Sequence, residues 1–453
     1  MSPGGAEKSP PRRWKTELMD PILIALAGLL AMLILIAAHA PIGAAMGIAG
    51  VVTFAAFAGW GPGLATLGAE TVSALTSVDF AIIPLFLLMG AFSVVSGMSK
   101  DLSDVTRAFL GHRRGGLAIA TIGVSALFGA VCGSAIASAA TMTRVCLPDM
   151  LTNGYRPGFA AGVIAASATL GIIIPPSLVL VVYAILTEHD VLTLFAAAVI
   201  PGIIATLFQV GAAAAFASVK PEAAPKAARQ GWPVRIEAAR RAWAVIVIGL
   251  IVTIGIYSGV FTISEAAAIG VVGAFSLCIL RRRATAAALA EAAGDVAQSA
   301  GAIYVIVIGA FSMSYFLAVS GLPQAFVTTI DALSLPPFAV IVAFYVMYLL
   351  LGAMFEPLAV LVVTLPFVLP AVLALGYDPI WWGVMLTMVS GIGMVTPPIG
   401  MNVFVTHGVA REIPLTEIYR GVMPFFIADI ARLLVLTLFP ALVTWLPTRL
   451  GMM

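Results

Sequence analysis

Apolar residues run in long blocks, at about 22–38, 41–59, 80–97, 116–150, 159–187, 191–218, 242–260, 262–280, 299–320, 336–372, 380–408 and 422–446, with most charged residues between them. A helix that crosses a bilayer takes roughly 20 apolar residues. The pattern therefore predicts an all-α chain of about a dozen membrane segments with little room for a soluble domain. Several blocks exceed one crossing and are cut by Gly or Pro, which predicts broken helices or hairpins. Arg12, Arg13 and Lys15 before the first block, and Ala38-His39-Ala40 after it, imitate a signal peptide. Apolar blocks follow throughout, so a retained first span is expected rather than a cleaved signal. The most polar stretch, 219–241, carries Lys220, Lys226, Arg229, Arg235 and Arg240 and reads as an amphipathic linker between two halves, 20–218 and 242–450, after an N-terminal cytoplasmic extension, 1–19.

Composition strengthens this picture. Of 453 residues, 61% are hydrophobic and 10% charged, against about 25% charged in soluble domains. Mean hydropathy is +1.10. Only a lipid bilayer covers that much apolar surface. The net charge of +2 gives no argument for nucleic acid. Cys132, Cys146 and Cys278 sit in apolar stretches and make neither a disulfide framework nor a metal-ligand spacing.

The two halves match. Tyr155-Arg-Pro157, thirteen residues, then Gly171-Ile-Ile-Ile-Pro175-Pro176 is answered by Tyr377-Asp-Pro379, thirteen residues, then Gly393-Met-Val-Thr-Pro397-Pro398. At the same offset of 222, Pro148 meets Pro370 and Gly154 meets Gly376. Gly90-Ala-Phe-Ser93 recurs as Gly309-Ala-Phe-Ser312, and Leu192-Thr193 with Pro201 as Leu415-Thr416 with Pro424. An ordered series of this kind points to an internal duplication. Arg113, Arg114, Arg144 and Arg156 flank the first half's long block, whereas Asp331 and Asp378 bound its counterpart with no Lys or Arg nearby. By the positive-inside rule the two regions enter from opposite sides, which makes the repeat inverted. Each region begins and ends on one side, as a re-entrant hairpin or as a pair of full spans.

The chemistry concentrates at the interruptions. Two adjacent prolines remove backbone donors and unwind a helix, and such breaks persist in a membrane only where they are buried in protein or line a cavity. At matched positions of two halves they mark a transporter's binding region. The candidate breaks are Ile174-Pro175-Pro176-Ser177 and Thr396-Pro397-Pro398-Ile399-Gly400-Met401-Asn402. The candidate hairpin tips are Gly133-Ser134 and Met354-Phe355-Glu356, and Ser134 and Glu356 both lie 41 residues before the first proline of the following break. A mid-membrane carboxylate is a functional hypothesis by default; Glu356 could hold a cation, carry a proton or pair with another side chain. Hard cations take oxygen ligands, which Ser134, Glu356, Thr396, Asn402 and unwound carbonyls supply. Asp79 reads as a boundary residue and Glu265 as a helix-start residue; Asp429 has no evident partner. His39, His112, His189 and His407 show no metal-binding spacing. No Gly-Lys pair occurs, so a Walker A loop is excluded and energy must come from an ion gradient or a partner. One charge moved across about 100 mV supplies ~2.3 kcal/mol, enough for roughly 50-fold accumulation.

These motifs resemble the large membrane subunit of tripartite ATP-independent periplasmic (TRAP) transporters across about residues 21–450. The resemblance rests on Gly133-Ser-Ala-Ile-Ala-Ser-Ala-Ala-Thr141, Gly158-Phe-Ala-Ala-Gly162, Gly171-Ile-Ile-Ile-Pro-Pro-Ser177, Ser264-Glu-Ala-Ala-Ala268, Gly393-Met-Val-Thr-Pro-Pro-Ile-Gly-Met-Asn402 and the closing Leu438–Pro447 segment. It implies an elevator-type secondary transporter of the ion transporter superfamily in a bacterial inner membrane, with a mobile part built from two hairpins and two broken helices. It further implies two sodium sites: Gly133, Ser134, Gly171, Ile174, Pro176 and Ser177 at one, and Met354, Glu356, Thr396, Pro397, Gly400 and Asn402 at the other. The family often has aspartate where this chain has Glu356. A separate small membrane subunit and a periplasmic binding protein that delivers an organic acid complete the implied assembly. The alternatives are a stand-alone sodium/carboxylate or anion symporter, an intramembrane enzyme using Glu356, which would need further catalytic groups nearby, and a passive channel.

Overall fold

The computed structural model describes residues 21–453, so the N-terminal extension 1–19 lies outside the described residues. The chain is helical throughout that range, with no strand among the described residues. It opens with α1 (Pro21–Ala37), α2 (Ile42–Ala58), α3 (Trp60–Thr76), α4 (Ile82–Ser96) and α5 (Met98–Leu110). Next come α6 (Gly116–Cys132), α7 (Ala135–Thr152), α8 (Pro157–Ser167), a single turn α9 (Leu170–Ile173), α10 (Leu178–Thr187) and α11 (Val191–Val219). The second half holds α12 (Trp232–Tyr257), α13 (Ile263–Leu280), α14 (Ala286–Ser320), α15 (Leu322–Ala332), α16 (Pro337–Met354), α17 (Pro357–Ala374), α18 (Pro379–Gly393), α19 (Met401–Val409), α20 (Leu415–Leu438) and α21 (Ala441–Arg449). Among the described residues nine helices are long and apolar enough to cross a membrane, and α1, α2, α6 and α18 are shorter apolar helices.

Three helices fall outside the apolar blocks: α3, α5 and α15. Of these α5 is strongly two-faced, with Met98, Leu102 and Ala108 buried and Lys100 exposed. Residues 219–241 form two pieces: an irregular stretch up to Gly231, then the first turns of α12, which continues unbroken to Tyr257. Glu265 closes a capping box with Thr262 at the start of α13, accepting from the Thr262 N–H at 2.8 Å.

The helix pairs α6/α7 and α16/α17 each double back. Tyr155 Oη accepts the Leu117 N–H at 3.2 Å and Thr121 donates to the Met150 sulfur at 3.6 Å; both pairs straddle residues 133–136 symmetrically. Tyr348 and Thr364 bond at 2.5 Å, eight residues either side of Glu356. At the first turn-back, Gly133 takes φ +64° and Ser134 is extended, its Oγ accepting from the Ala137 N–H at 3.4 Å. A glycine suits that left-handed cap because it has no Cβ to clash.

Helices α8 and α18, which lead into the two breaks, are buried all round except for their leading prolines. An evenly apolar helix belongs in the middle of a bundle. Small residues let backbones meet there: a Cβ on Gly421 of α20 would strike the Gly158 carbonyl of α8, and one on Gly162 would strike the Gly421 backbone. On the outside α14 packs along α2, and α4 along α13.

One end of the bundle gathers the basic loops. Gly115 and Arg156 donate to Ala224 and Ala223, and Arg281 reaches the Ser96 and Arg241 carbonyls at 3.0 and 3.1 Å and pairs with Asp101. The loops at 188–190 and 376–378 carry Glu188, Asp190 and Asp378 and no Lys or Arg, and Tyr183 binds the Pro379 carbonyl at 2.6 Å beside them. The positive-inside rule makes the first end cytoplasmic.

Asp429 does have a partner. It lies 3.3 Å from Arg432 one turn on, both fully buried, and Gln209 of α11 donates to its two oxygens at 3.5 and 3.4 Å. The apolar block hid an i,i+3 charge pair that neutralises itself. Removing one member leaves a buried lone charge, whereas removing both does not. Asp429→Asn should therefore destabilise the folded protein by about 3–5 kcal/mol, measured as thermal unfolding in detergent. The Asp429→Leu/Arg432→Met double variant should recover most of that loss.

Candidate functional site

Each break is held by hydroxyls and amides that take over freed carbonyls. In the first, Ser177 is buried; its Oγ donates to the Ile172 carbonyl at 2.5 Å and accepts from the Leu180 N–H at 3.5 Å. In the second, Thr396 donates to Ile392 at 2.8 Å, the Asn402 N–H to Met394 at 3.0 Å, and Tyr419 of α20 to the Pro398 and Ile399 carbonyls at 3.1 and 2.5 Å. The Pro175–Pro176 and Pro397–Pro398 bonds are both cis.

Each hairpin tip sits on a break. A Cβ on Gly133 would lie 3.3 Å from the Pro176 carbonyl, and one on Gly171 would lie 3.3 Å from the Ser134 carbonyl and 3.0 Å from Ser138 Oγ. At the other tip the Ala353 carbonyl accepts from the Gly400 N–H at 2.9 Å, and Gly352 meets the backbone of Gly393. The expected residues Gly133, Ser134, Gly171, Pro176 and Ser177 thus form one junction. Gly400, Thr396 and Asn402 form the other, next to the turn at Met354–Glu356. Ile174 turns instead toward Gly202 of α11, Met354 is exposed, and Pro397 is exposed at the edge of its junction.

Among the described residues, three buried oxygens of the second broken helix have no hydrogen-bond partner: Ser390 Oγ, Asn402 Oδ1 and Thr406 Oγ1. Buried polar atoms are otherwise nearly always paired, so oxygen acceptors left open beside unwound backbone match what a small hard cation requires. The Asn402 amide nitrogen donates to Ala165 of α8 at 3.2 Å, so its side chain faces α8. Glu356 has a different setting. Its side chain makes no hydrogen bond or ion pair among the described residues and opens into a cavity of about 520 Å³, which it shares with Ser134, Ile172 and Met394. The two tips therefore meet at one chamber.

The facing wall of that chamber is α14, with Asp295, Gln298, Ser299 and Ile303. The apolar block begins at 299 and leaves Asp295 and Gln298 outside it; the i,i+3 and i,i+4 spacing of Asp295 to Gln298 and Ser299 was the available signal of a shared helical face. Tyr419, which holds two carbonyls of the second break, is the other site residue the motifs do not mark.

Comparison with known proteins places this geometry in context. A family profile described as tripartite ATP-independent periplasmic transporter, DctM component, matches residues 29–442. The chain is 34% identical over 372 residues to the C4-dicarboxylate TRAP transporter large permease DctM of Pseudomonas aeruginosa, covering 82% of this chain and 86% of that one. It is 33% identical over 390 residues to the Vibrio cholerae DctM, covering 81% and 85%. The sialic acid TRAP transporter permease SiaT of Haemophilus influenzae is 27% identical over 384 residues, 84% of this chain and 62% of that protein. Among solved structures the Alcanivorax borkumensis YdaH transporter superposes with a TM-score of 0.60 at 15% identity, covering 95% of this chain and 99% of that one, a likeness of fold alone.

The junction geometry is open to a direct check. A Cβ on Gly393 would lie 2.7 Å from the Gly352 backbone, whereas one on Gly249 of α12 would meet nothing within 4 Å. Gly393→Ala should destabilise by about 1–3 kcal/mol, and Gly249→Ala should be neutral or slightly stabilising, both read from thermal unfolding of the purified protein.

Proposed function

The chain belongs to the tripartite ATP-independent periplasmic transporter family as a DctM component, and from that membership we propose that it is the large permease subunit of a sodium-coupled importer of an organic acid. It is a multi-pass inner-membrane protein. The observation that carries the reading is the pair of helix breaks, each covered by a hairpin tip, with both tips opening on one chamber. One sodium ion would bind where Gly133-Ser134 meets the Gly171–Ser177 break. A second would bind beside the Met354–Glu356 turn and the Thr396–Asn402 break, where Asn402 Oδ1 is an open acceptor.

The two halves act as an inverted repeat. Helix α8 starts among the basic loops and α10 ends at Glu188, whereas α18 starts at Asp378 and α19 ends before Arg411. On this reading the hairpins and broken helices form the moving part of an elevator against the α2–α4–α13–α14 frame. A small membrane subunit and a periplasmic binding protein, both separate chains, complete the assembly, and the binding protein presents the acid from the periplasmic side. The relatives are transport permeases, and the chemistry needed here is ligand exchange at oxygen atoms rather than bond breaking.

Uptake in proteoliposomes tests this. With a sodium gradient and both partners, a screen of radiolabelled organic acids should find one that accumulates. Withholding either partner should abolish that accumulation. Glu356→Gln should weaken the dependence on external sodium, shifting its half-saturation upward by roughly tenfold. Accumulation by this chain alone would identify a stand-alone symporter, and accumulation indifferent to sodium would overturn the coupling.

A further inference from the structure

A second cavity, of about 410 Å³, adjoins the chamber between the tips and shares Leu87, Ser134, Ala137, Ala140, Asp295 and Ser299 with it. It leads toward the basic end of the bundle: its far walls are Val94 and Val95 at the end of α4, Ala288 and Glu291 near the start of α14, and Arg144 of α7. The two cavities together are a passage from the hairpin tips to the cytoplasmic end. Its floor is one face of α7, because Ser134, Ala137, Thr141 and Arg144 repeat at three and four residues.

The charges along this passage are uneven. Among the described residues Arg144 is the one Lys or Arg lining either cavity, against Glu291, Asp295 and Glu356. Arg144 is exposed and its side chain makes no ion pair or hydrogen bond among the described residues, and the same holds for Asp295, so the passage keeps two unneutralised poles on opposite walls. A guanidinium left free in a confined space has the fork geometry for a carboxylate. At 1.5 Å per residue Arg144 lies roughly 15 Å along α7 from the Ser134 tip.

We propose that Arg144 takes the substrate's carboxylate on the cytoplasmic side of the tips, while Asp295, with Gln298 and Ser299, accepts and donates hydrogen bonds at the substrate's other end. This deepens the transport reading and rests on it. One free cation serves one carboxylate, and a second carboxylate would face Asp295 across the passage. The site therefore selects an acid with a single carboxylate whose far end carries hydroxyl or ammonium hydrogen-bond donors, and disfavours dicarboxylates.

Binding to the purified permease tests this without partners or a gradient. Thermal stabilisation in sodium chloride would be measured with D-gluconate, L-lactate and L-alanine, and with succinate as the dicarboxylate. At least one single-carboxylate acid should stabilise the wild type at lower concentration than succinate. Arg144→Gln should raise its half-saturation by roughly 10- to 100-fold, Arg144→Lys should restore part of the loss, and the sodium dependence of the unliganded protein should stay unchanged in both. Asp295→Asn should improve succinate binding. Equal binding by wild type and Arg144→Gln, a preference of the wild type for succinate, or no response to any single-carboxylate acid would overturn the proposal. Unfolding temperatures without ligand separate lost binding from lost folding. Failure here with sodium-driven, partner-dependent uptake intact would remove the role of Arg144 alone. Uptake indifferent to sodium would remove the transport reading beneath it.

Discussion

An interrupted helix inside a membrane leaves carbonyls and amides that lipid cannot satisfy, and the arrangement of this molecule follows from that. Each unsatisfied group costs several kcal/mol in hydrocarbon, so the carbonyls freed at both Pro-Pro breaks need polar partners from the protein. The chain provides them in the same way twice. Hydroxyls of Ser177 and Thr396 turn back onto the carbonyls of their own broken helices, Tyr419 reaches across from α20, and a hairpin tip seals each break from the other side. Glycines at the contacts, Gly171 against Ser134 and Gly352 against Gly393, let the tips approach the breaks closely, while Pro397, Pro398 and Ile399 stay exposed at the edge of the second.

The seal has a chemical by-product. Backbone and side chains drawn together around a break leave an acceptor with no partner among the described residues, as at Asn402 Oδ1. Such atoms are costly when empty and favourable when they hold a cation. On the proposed reading, the same construction that solves the solvation problem offers oxygen ligands to a cation at each break, and both tips line one chamber. Glu356 takes part differently from a buried ligand: it faces the open chamber, where its charge acts on whatever enters.

Much of this was legible in the chain. The Pro-Pro pairs marked both breaks, and the 41-residue spacing marked Ser134 and Glu356 as tips, because proline chemistry and helix interruption are local properties. The helix α3 and the short helices α5 and α15 were not legible from apolar blocks, since α5 carries its apolar residues as a helical stripe, Met98, Leu102, Val105 and Phe109, rather than as a continuous run. Asp295 escaped because it precedes the apolar block that begins at 299, although it lies inside the 35-residue α14. Arg432 escaped because the surrounding apolar run outweighed it, although it stands one turn from Asp429. Tyr419 acts on carbonyls about twenty residues away along the chain, a pairing that only the tertiary fold sets.

The claim that the sealed breaks are cation sites is tested most directly by titrating the purified permease with sodium chloride at constant ionic strength and following tryptophan fluorescence. Trp381 and Trp382 of the buried α18 are placed to report. The account predicts a saturable response to sodium, absent with potassium or choline, that falls from two binding steps to one in Asn402→Ala. An identical response to all three cations, or an unaltered sodium isotherm in Asn402→Ala, would contradict it.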